Sequence, residues 1–182
     1  MSNIRHKCFI SYHHEDQDEV DEFIRKFDHD KDVFIARGLG EEMASDIINS
    51  EDTTYVMKRI RELYLKDSTV TLVMLGKCTW ARRYIDWEIQ ASLRNGETVT
   101  PNGLLGIKLP SYSETKGMFP NRLNINLKQS DDQKDCYARY MSYPSRSDTL
   151  SKAIDAAFER RSTHVKWINN PRERFKNNRH CE

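Results

Sequence analysis

Glycine is scarce in this chain, seven residues among 182, and the two closest together, in Gly38-Leu39-Gly40, belong neither to a GxGxxG fingerprint nor to a phosphate loop with its lysine. Cysteine is sparser still. Cys8, Cys78, Cys136 and Cys181 form no CxxC or cysteine/histidine ligand spacing, a pattern that indicates neither zinc nor a disulfide framework and fits a reducing compartment. Neither sign of charge is in excess: 29 lysines and arginines face 28 aspartates and glutamates, so no net cationic field favours a nucleic-acid partner. No run approaches the ~18 apolar residues of a membrane span. The opening MSNIRHKCFISY passes from charge into a short apolar run without a signal peptide's h-region. The expectation is a cytoplasmic protein with no membrane partner, long enough to bury one core without staples.

Short apolar runs alternate with amphipathic stretches. Lys7 to Tyr12 (KCFISY) reads as a first strand, followed by a helix from Asp16 to about Phe27 with Val20, Phe23, Ile24 and Phe27 on one stripe. A second strand is expected at Asp32 to Ala36, then a polar connection, Arg37 to Asp52, long enough to act as a lid. A helix from Thr53 to Leu65 turns Val56, Ile60 and Leu63 inward and precedes Val70 to Leu75, a strand apolar on both faces as in a parallel sheet. The next helix lies within KCTWARRYIDWEIQASLRNG, with Gly96 as its C-terminal glycine. Leu104 to Leu109 makes a fourth strand, Leu123 to Leu127 an alternating edge strand, and Asp148 to Arg161 a last helix. The fold class is therefore α/β, a flavodoxin-like doubly wound sheet of about five mostly parallel strands with helices on both faces. Residues 1–165 form the domain and 166–182 a polar, basic, loosely ordered tail.

In such a sheet the ligand sits beyond the carboxyl ends of the strands, where strand order reverses. That rule selects Ser11 to Glu15, Arg37 to Asp52 and Gly76 to Arg83. At about 100° per residue, Ile85, Ile89, Leu93 and Ser92 face the sheet, while Tyr84 and Glu88 share a flanking strip four residues apart. An aromatic ring beside a carboxylate suits a nucleotide or its sugar. Taken alone, a glutamate behind two arginines is a surface or ion-paired residue; its place on the flank makes it a site candidate. Trp87 points away from the sheet, either packed under the C-terminal segment or offering a self-association surface. His13 and His14 follow the first strand, but no second cluster supplies further ligands, so no metal is expected.

CFISYHHED and LGKCTWARRYIDWEI resemble the first box and the third-helix motif of TIR domains. The closer resemblance is to the divergent TIR-like proteins of bacterial Thoeris antiphage defence, in which an aromatic residue four before a glutamate recurs in an arginine-rich stretch, as in Tyr84-Ile85-Asp86-Trp87-Glu88. The resemblance implies a catalytic Glu88 and an NAD site lined by Ser11, Tyr12, His13 and Tyr84, with NAD as substrate and no cofactor. It implies release of nicotinamide and a cyclic ADP-ribose isomer as a diffusible signal to an effector protein, with self-association of the enzyme. The alternative is a non-catalytic oligomerising TIR scaffold. Two departures matter: the second-strand loop lacks the Arg-Asp-x-x-Pro-Gly pattern of animal adaptor TIRs, and the third helix lacks their Ser-Trp-Cys arrangement. Loop contacts such as Asp46 and Asn49 consequently cannot be carried over by position.

Overall fold

The computed structural model describes residues 4–39, 42–127 and 136–182. Gly40, and with it the end of the Gly38-Leu39-Gly40 loop, lies outside them. Strands β1 (Lys7–Ser11), β2 (Ile35–Arg37), β3 (Val70–Leu75), β4 (Gly103–Lys108) and β5 (Arg139–Met141) form one sheet in the order β2-β1-β3-β4-β5, every neighbouring pair parallel. Cys8 pairs with Val70 and Ser11 with Val73, so β1 and β3 run side by side and β3 continues two residues further, to Leu75. All six residues of β3 are buried, as expected of a strand covered on both faces.

Helices α1 (Gln17–Ile24) and α6 (Ser147–Thr163) cover one face, where Val20, Phe23, Ile24, Leu150, Ile154 and Ala157 meet Ile10, Leu72, Met74 and Ile107. A π-helical turn at Arg25–His29 extends α1 and brings Phe27 into the same core. The opposite face carries α2 (Ser45–Ile48), α3 (Thr53–Leu63), α4 (Arg83–Ser92) and α5 (Asn121–Asn124). There Ile85, Ile89 and Leu93 pack on Val73, Leu75 and Leu104, and the Ser92 hydroxyl meets that of Thr71 at 2.7 Å. The sheet-facing stripe read from the sequence is thus the one observed. Asp52 starts α3 by accepting hydrogen bonds from the amides of Thr54 (2.9 Å) and Tyr55 (3.3 Å).

Several elements differ from expectation. Leu123 to Leu127 is not an edge strand: Leu123 and Asn126 are both buried, a three-residue spacing that a helical turn satisfies and a strand does not, and β5 supplies the edge instead. The second strand starts later, because Asp32 takes a left-handed backbone (φ 52°) that delays pairing until Ile35. Leu63 is exposed, and the inward stripe of α3 continues through Tyr64. Gly96 does not cap α4, which ends at Ser92; it bridges to Val99.

The largest difference is the C-terminal segment, which is docked rather than loose. Buried Asp86 and Arg122 form an ion pair (Nε to Oδ1, 2.8 Å), and both hold the segment: Arg122 donates to the carbonyls of Pro171 and Glu173, while Asp86 accepts from the amide of Phe175 (2.9 Å). The Trp87 indole donates to the Phe175 carbonyl at 2.7 Å, and Gln90 to those of Pro171 and Arg172. The segment is therefore a strap along the outer face of α4. It ends in a disulfide between Cys78 and Cys181, contrary to the expectation that no cysteines are linked. At a sequence separation of 103, no local spacing announces the pair; docking of the strap brings them together. Cys8 and Cys136 are buried thiols.

Candidate active site

Strand order reverses at β1 and β3, and a cleft of about 540 Å³ opens beyond the end of β1. Volumes of this order suit small-molecule sites. The walls come from the loop after β1 (Tyr12, His13, His14), the start of α4 (Arg82, Tyr84, Glu88), and the connection after β2 (Gly38, Glu42, Met43, Ile48). Gly38 takes φ 76°, and a side chain there would run into the ring of Phe9, so the cleft floor requires glycine.

Glu88 sits half-buried on the flank of α4, facing the cleft. The surrounding protein withdraws water from its carboxyl and pushes the pKa up to about 8, against the lowering effect of a hydrogen bond from Ser11 Oγ to Oε2 at 2.5 Å. Ser11 is fully buried at the end of β1, so it acts by holding Glu88 rather than by opening onto the cavity. Tyr12 lines the cleft with its hydroxyl donated to Gln17 Oε1 (2.6 Å). His13 is 5 % exposed; burial, then the nearby Arg82 charge, holds its pKa below the usual imidazole value. Its Nε2 lies 3.3 Å from a Glu15 carboxylate oxygen, without hydrogen-bond alignment. Tyr84 completes the aromatic wall, its ring edge-on to Trp87 and under the Arg83 guanidinium. Tyr12, His13, Tyr84 and Glu88 thus line one cavity, whereas Ser11, expected at the same site, lies behind Glu88 and outside the lining.

Trp87 is not an exposed surface. It is 3 % exposed, covered by the strap and by Arg174 at 5.1 Å from its ring, so the packing reading holds and the self-association reading of this residue does not. Asp46 faces α3, accepting from the Tyr55 hydroxyl (2.7 Å) and Arg59 Nε (3.0 Å), and neither it nor Asn49 lines the cleft.

Sequence reading missed Arg82, Asn178 and Asp16. Arg82 is visible in the Arg82-Arg83 pair, but nothing in the pattern says which arginine turns inward. Asn178 reaches the cleft from the strap, where its Oδ1 accepts from the Arg83 amide at the start of α4 (3.0 Å). Asp16 is buried below the cleft and ties the loop after β1 to that after β3: the Thr79 hydroxyl lies 3.4 Å from its Oδ2 and accepts from the Gly76 amide (2.9 Å). Burial, with Glu19 adding repulsion, raises its pKa to about 6. A methyl at Gly76 would collide with this carboxyl.

His13, His14 and Glu15 offer ligand atoms within 4.8 Å of one another, though His14 and Glu15 are exposed and Arg82 opposes a cation at His13. Among the described residues no helix is long and apolar enough to cross a membrane.

A search of the curated proteins returns no match. The family model of the TIR-like domain of the Thoeris protein ThsB matches residues 9–114, more than half of the chain. The match runs from β1 through β4, taking in the reversal of strand order, both loops of the cleft and the whole of α4. With the five-stranded parallel sheet and its helices on both faces, it establishes that the chain belongs to the Thoeris ThsB family of antiphage defence and carries its TIR-like domain.

Proposed function

We propose that the protein cleaves the bond between nicotinamide and ribose in NAD, with Glu88 as the catalytic carboxylate. The observation that carries this reading is the pairing of Glu88 with Ser11 at the cleft where strand order reverses, beside the Tyr84 ring. Departure of nicotinamide leaves an oxocarbenium-like ribose, and a desolvated carboxylate aimed at it stabilises the positive charge more strongly than one in water. Nicotinamide leaves as a neutral base, so a single carboxylate suffices and no second one need serve as general acid. The cationic nicotinamide ring, once bound, draws the proton off Glu88 and generates the reactive carboxylate.

The nucleophile decides the product. Water yields ADP-ribose, whereas attack from within the molecule yields a cyclic isomer. The connection after β2 is fastened to α3 through Tyr64, whose hydroxyl donates to the Glu42 carbonyl and accepts from the Ala44 amide, and Glu42, Met43 and Ile48 wall the cleft. A wall that excludes water favours internal attack, so a cyclic ADP-ribose isomer, acting as a diffusible signal to an effector protein, is the product we assign. Self-association and a cytoplasmic location belong to the same proposal. The scaffold alternative loses one of its two supports, since Trp87 is covered, and keeps the mixed-charge surface. The test is nicotinamide release from NAD by the purified chain, with and without phage-infected lysate: undiminished release by Glu88→Gln would refute the assignment.

A further inference from the structure

Two buried nitrogens of the cleft have no hydrogen-bond partner among the described residues: Nε2 of His13 and Nε of Arg82. A buried polar nitrogen left unpaired costs roughly 1–3 kcal/mol, which a ligand supplying acceptors would recover. His13 is itself more than nine-tenths buried. Burial first, and then the nearby Arg82 charge, disfavour protonation of His13 against the opposing pull of Glu15, so a neutral imidazole that can present a donor without adding charge is favoured. Arg82 also occupies the N-cap position of the ten-residue α4, and no side chain of its own caps that helix; Asn178 satisfies the Arg83 amide alone. The positive end of a helix dipole therefore adds to the guanidinium at the same wall.

An unpaired guanidinium fork, a neutral imidazole and a helix N-terminus share one complement, an anion with several oxygens. We infer that Arg82 and His13, with the first turn of α4, form a subsite for the pyrophosphate of a dinucleotide. This rests on the NAD reading of the cleft and deepens it. Glu88 lies six positions after Arg82, roughly 9 Å of helix at 1.5 Å per residue, so a substrate anchored by its pyrophosphate at Arg82 extends its ribose toward the Glu88 carboxyl. Glu15, whose carboxylate lies 3.3 Å from His13 Nε2, is 65 % exposed, so open solvent is available to it where an anion takes that place.

Titration calorimetry on the full chain with inorganic pyrophosphate, ADP and adenosine tests this. ADP should bind about tenfold or more tighter than adenosine, and Arg82→Gln should weaken pyrophosphate and ADP about tenfold while leaving adenosine within about twofold. Arg82→Lys, which keeps charge but loses the fork, should fall between. Because His13 is buried, its role is read without mutation: its imidazole nitrogen resonances should move when pyrophosphate is added to the wild type. ADP binding no tighter than adenosine, Arg82→Gln binding ADP like the wild type at an unchanged melting temperature, or unmoved His13 resonances would each overturn the subsite. No probe carries nicotinamide. Arg82-dependent pyrophosphate binding by a chain that leaves NAD intact would refute the cleavage reading and uphold this one; NAD cleavage without Arg82 dependence would do the reverse.

Discussion

The Ser11 hydroxyl donates to Glu88 across 2.5 Å, joining the last residue of β1 to the middle of α4. It is a charge-assisted bond whenever Glu88 is ionised, and it opposes the burial that favours the neutral acid. The chemistry proposed for the cleft depends on this balance.

Replacing Glu88 with Gln keeps the shape and an acceptor for Ser11 while removing the negative charge. Nicotinamide release should fall by roughly 10²–10³ or more, the range seen when an electrostatic stabiliser of a transition state is lost. Steady-state rates by liquid chromatography, with circular dichroism to check folding, measure this.

With a free-enzyme pKa of about 8, most Glu88 is protonated at neutral pH. If the carboxylate is the working form, kcat/KM should climb with pH and level off above about 8, whereas kcat should level off lower, because the bound nicotinamide cation favours ionisation. Ser11→Ala removes the bond that lowers the pKa, so its kcat/KM profile should shift to higher pH. A Ser11→Ala profile unmoved or shifted to lower pH would contradict the role given to this hydroxyl.

Stability should follow the same groups. A carboxyl whose folded pKa is raised binds a proton in the folded state that the unfolded chain has already released, so stability is full at low pH and falls as pH rises. For Asp16 the loss should run from about 4 to about 6, and for Glu88 on to about 8. Between pH 6 and 8 the decline belongs chiefly to Glu88, so the melting temperature of Glu88→Gln should hold steady there while that of the wild type drops.

Gly76→Ala inserts a methyl against the buried Asp16 carboxyl. The side chain must give way and lose its approach to Thr79, at an expected cost of about 1–3 kcal/mol as for other overpacked sites. Urea denaturation would show a lower midpoint with an unchanged slope.

Arg122→Met leaves the buried Asp86 without its counter-charge and removes the donors to Pro171 and Glu173. A loss of about 3–5 kcal/mol is expected. Cys181→Ser opens the disulfide but spares that network, and should cost about 2–4 kcal/mol, with the strap still protected from hydrogen exchange at Phe175.

Periodicity made the parallel sheet and the buried stripe of α4 readable, because Ile85, Ile89 and Leu93 obey a local rule that packing then enforces. Glu88 was legible for the same reason: its angle on the helix and its distance from the strand ends follow from the helical repeat. Leu123 to Leu127 misled because alternating apolar and polar residues fit a strand and a short helical turn equally, and the choice lay with distant partners such as Asn169, which donates its amide to Asn126. Asn178 and the Cys78–Cys181 link were invisible, since both reach the cleft region through docking of a segment some ninety or more residues away in the chain. Arg82 lay between: its charge was plain, its lack of a partner was not.

The strap also bears on how members of the family could be recombined. The matched span of 9–114 contains Asp86, Trp87 and Gln90, but their partners lie at Arg122 and between Pro171 and Phe175, beyond it. A chimera that grafts only the matched span onto another member would seat a buried aspartate and an indole N–H against a foreign C-terminal segment. Exchange is expected to succeed only when α4 and the strap travel together, as one inherited unit split across the chain.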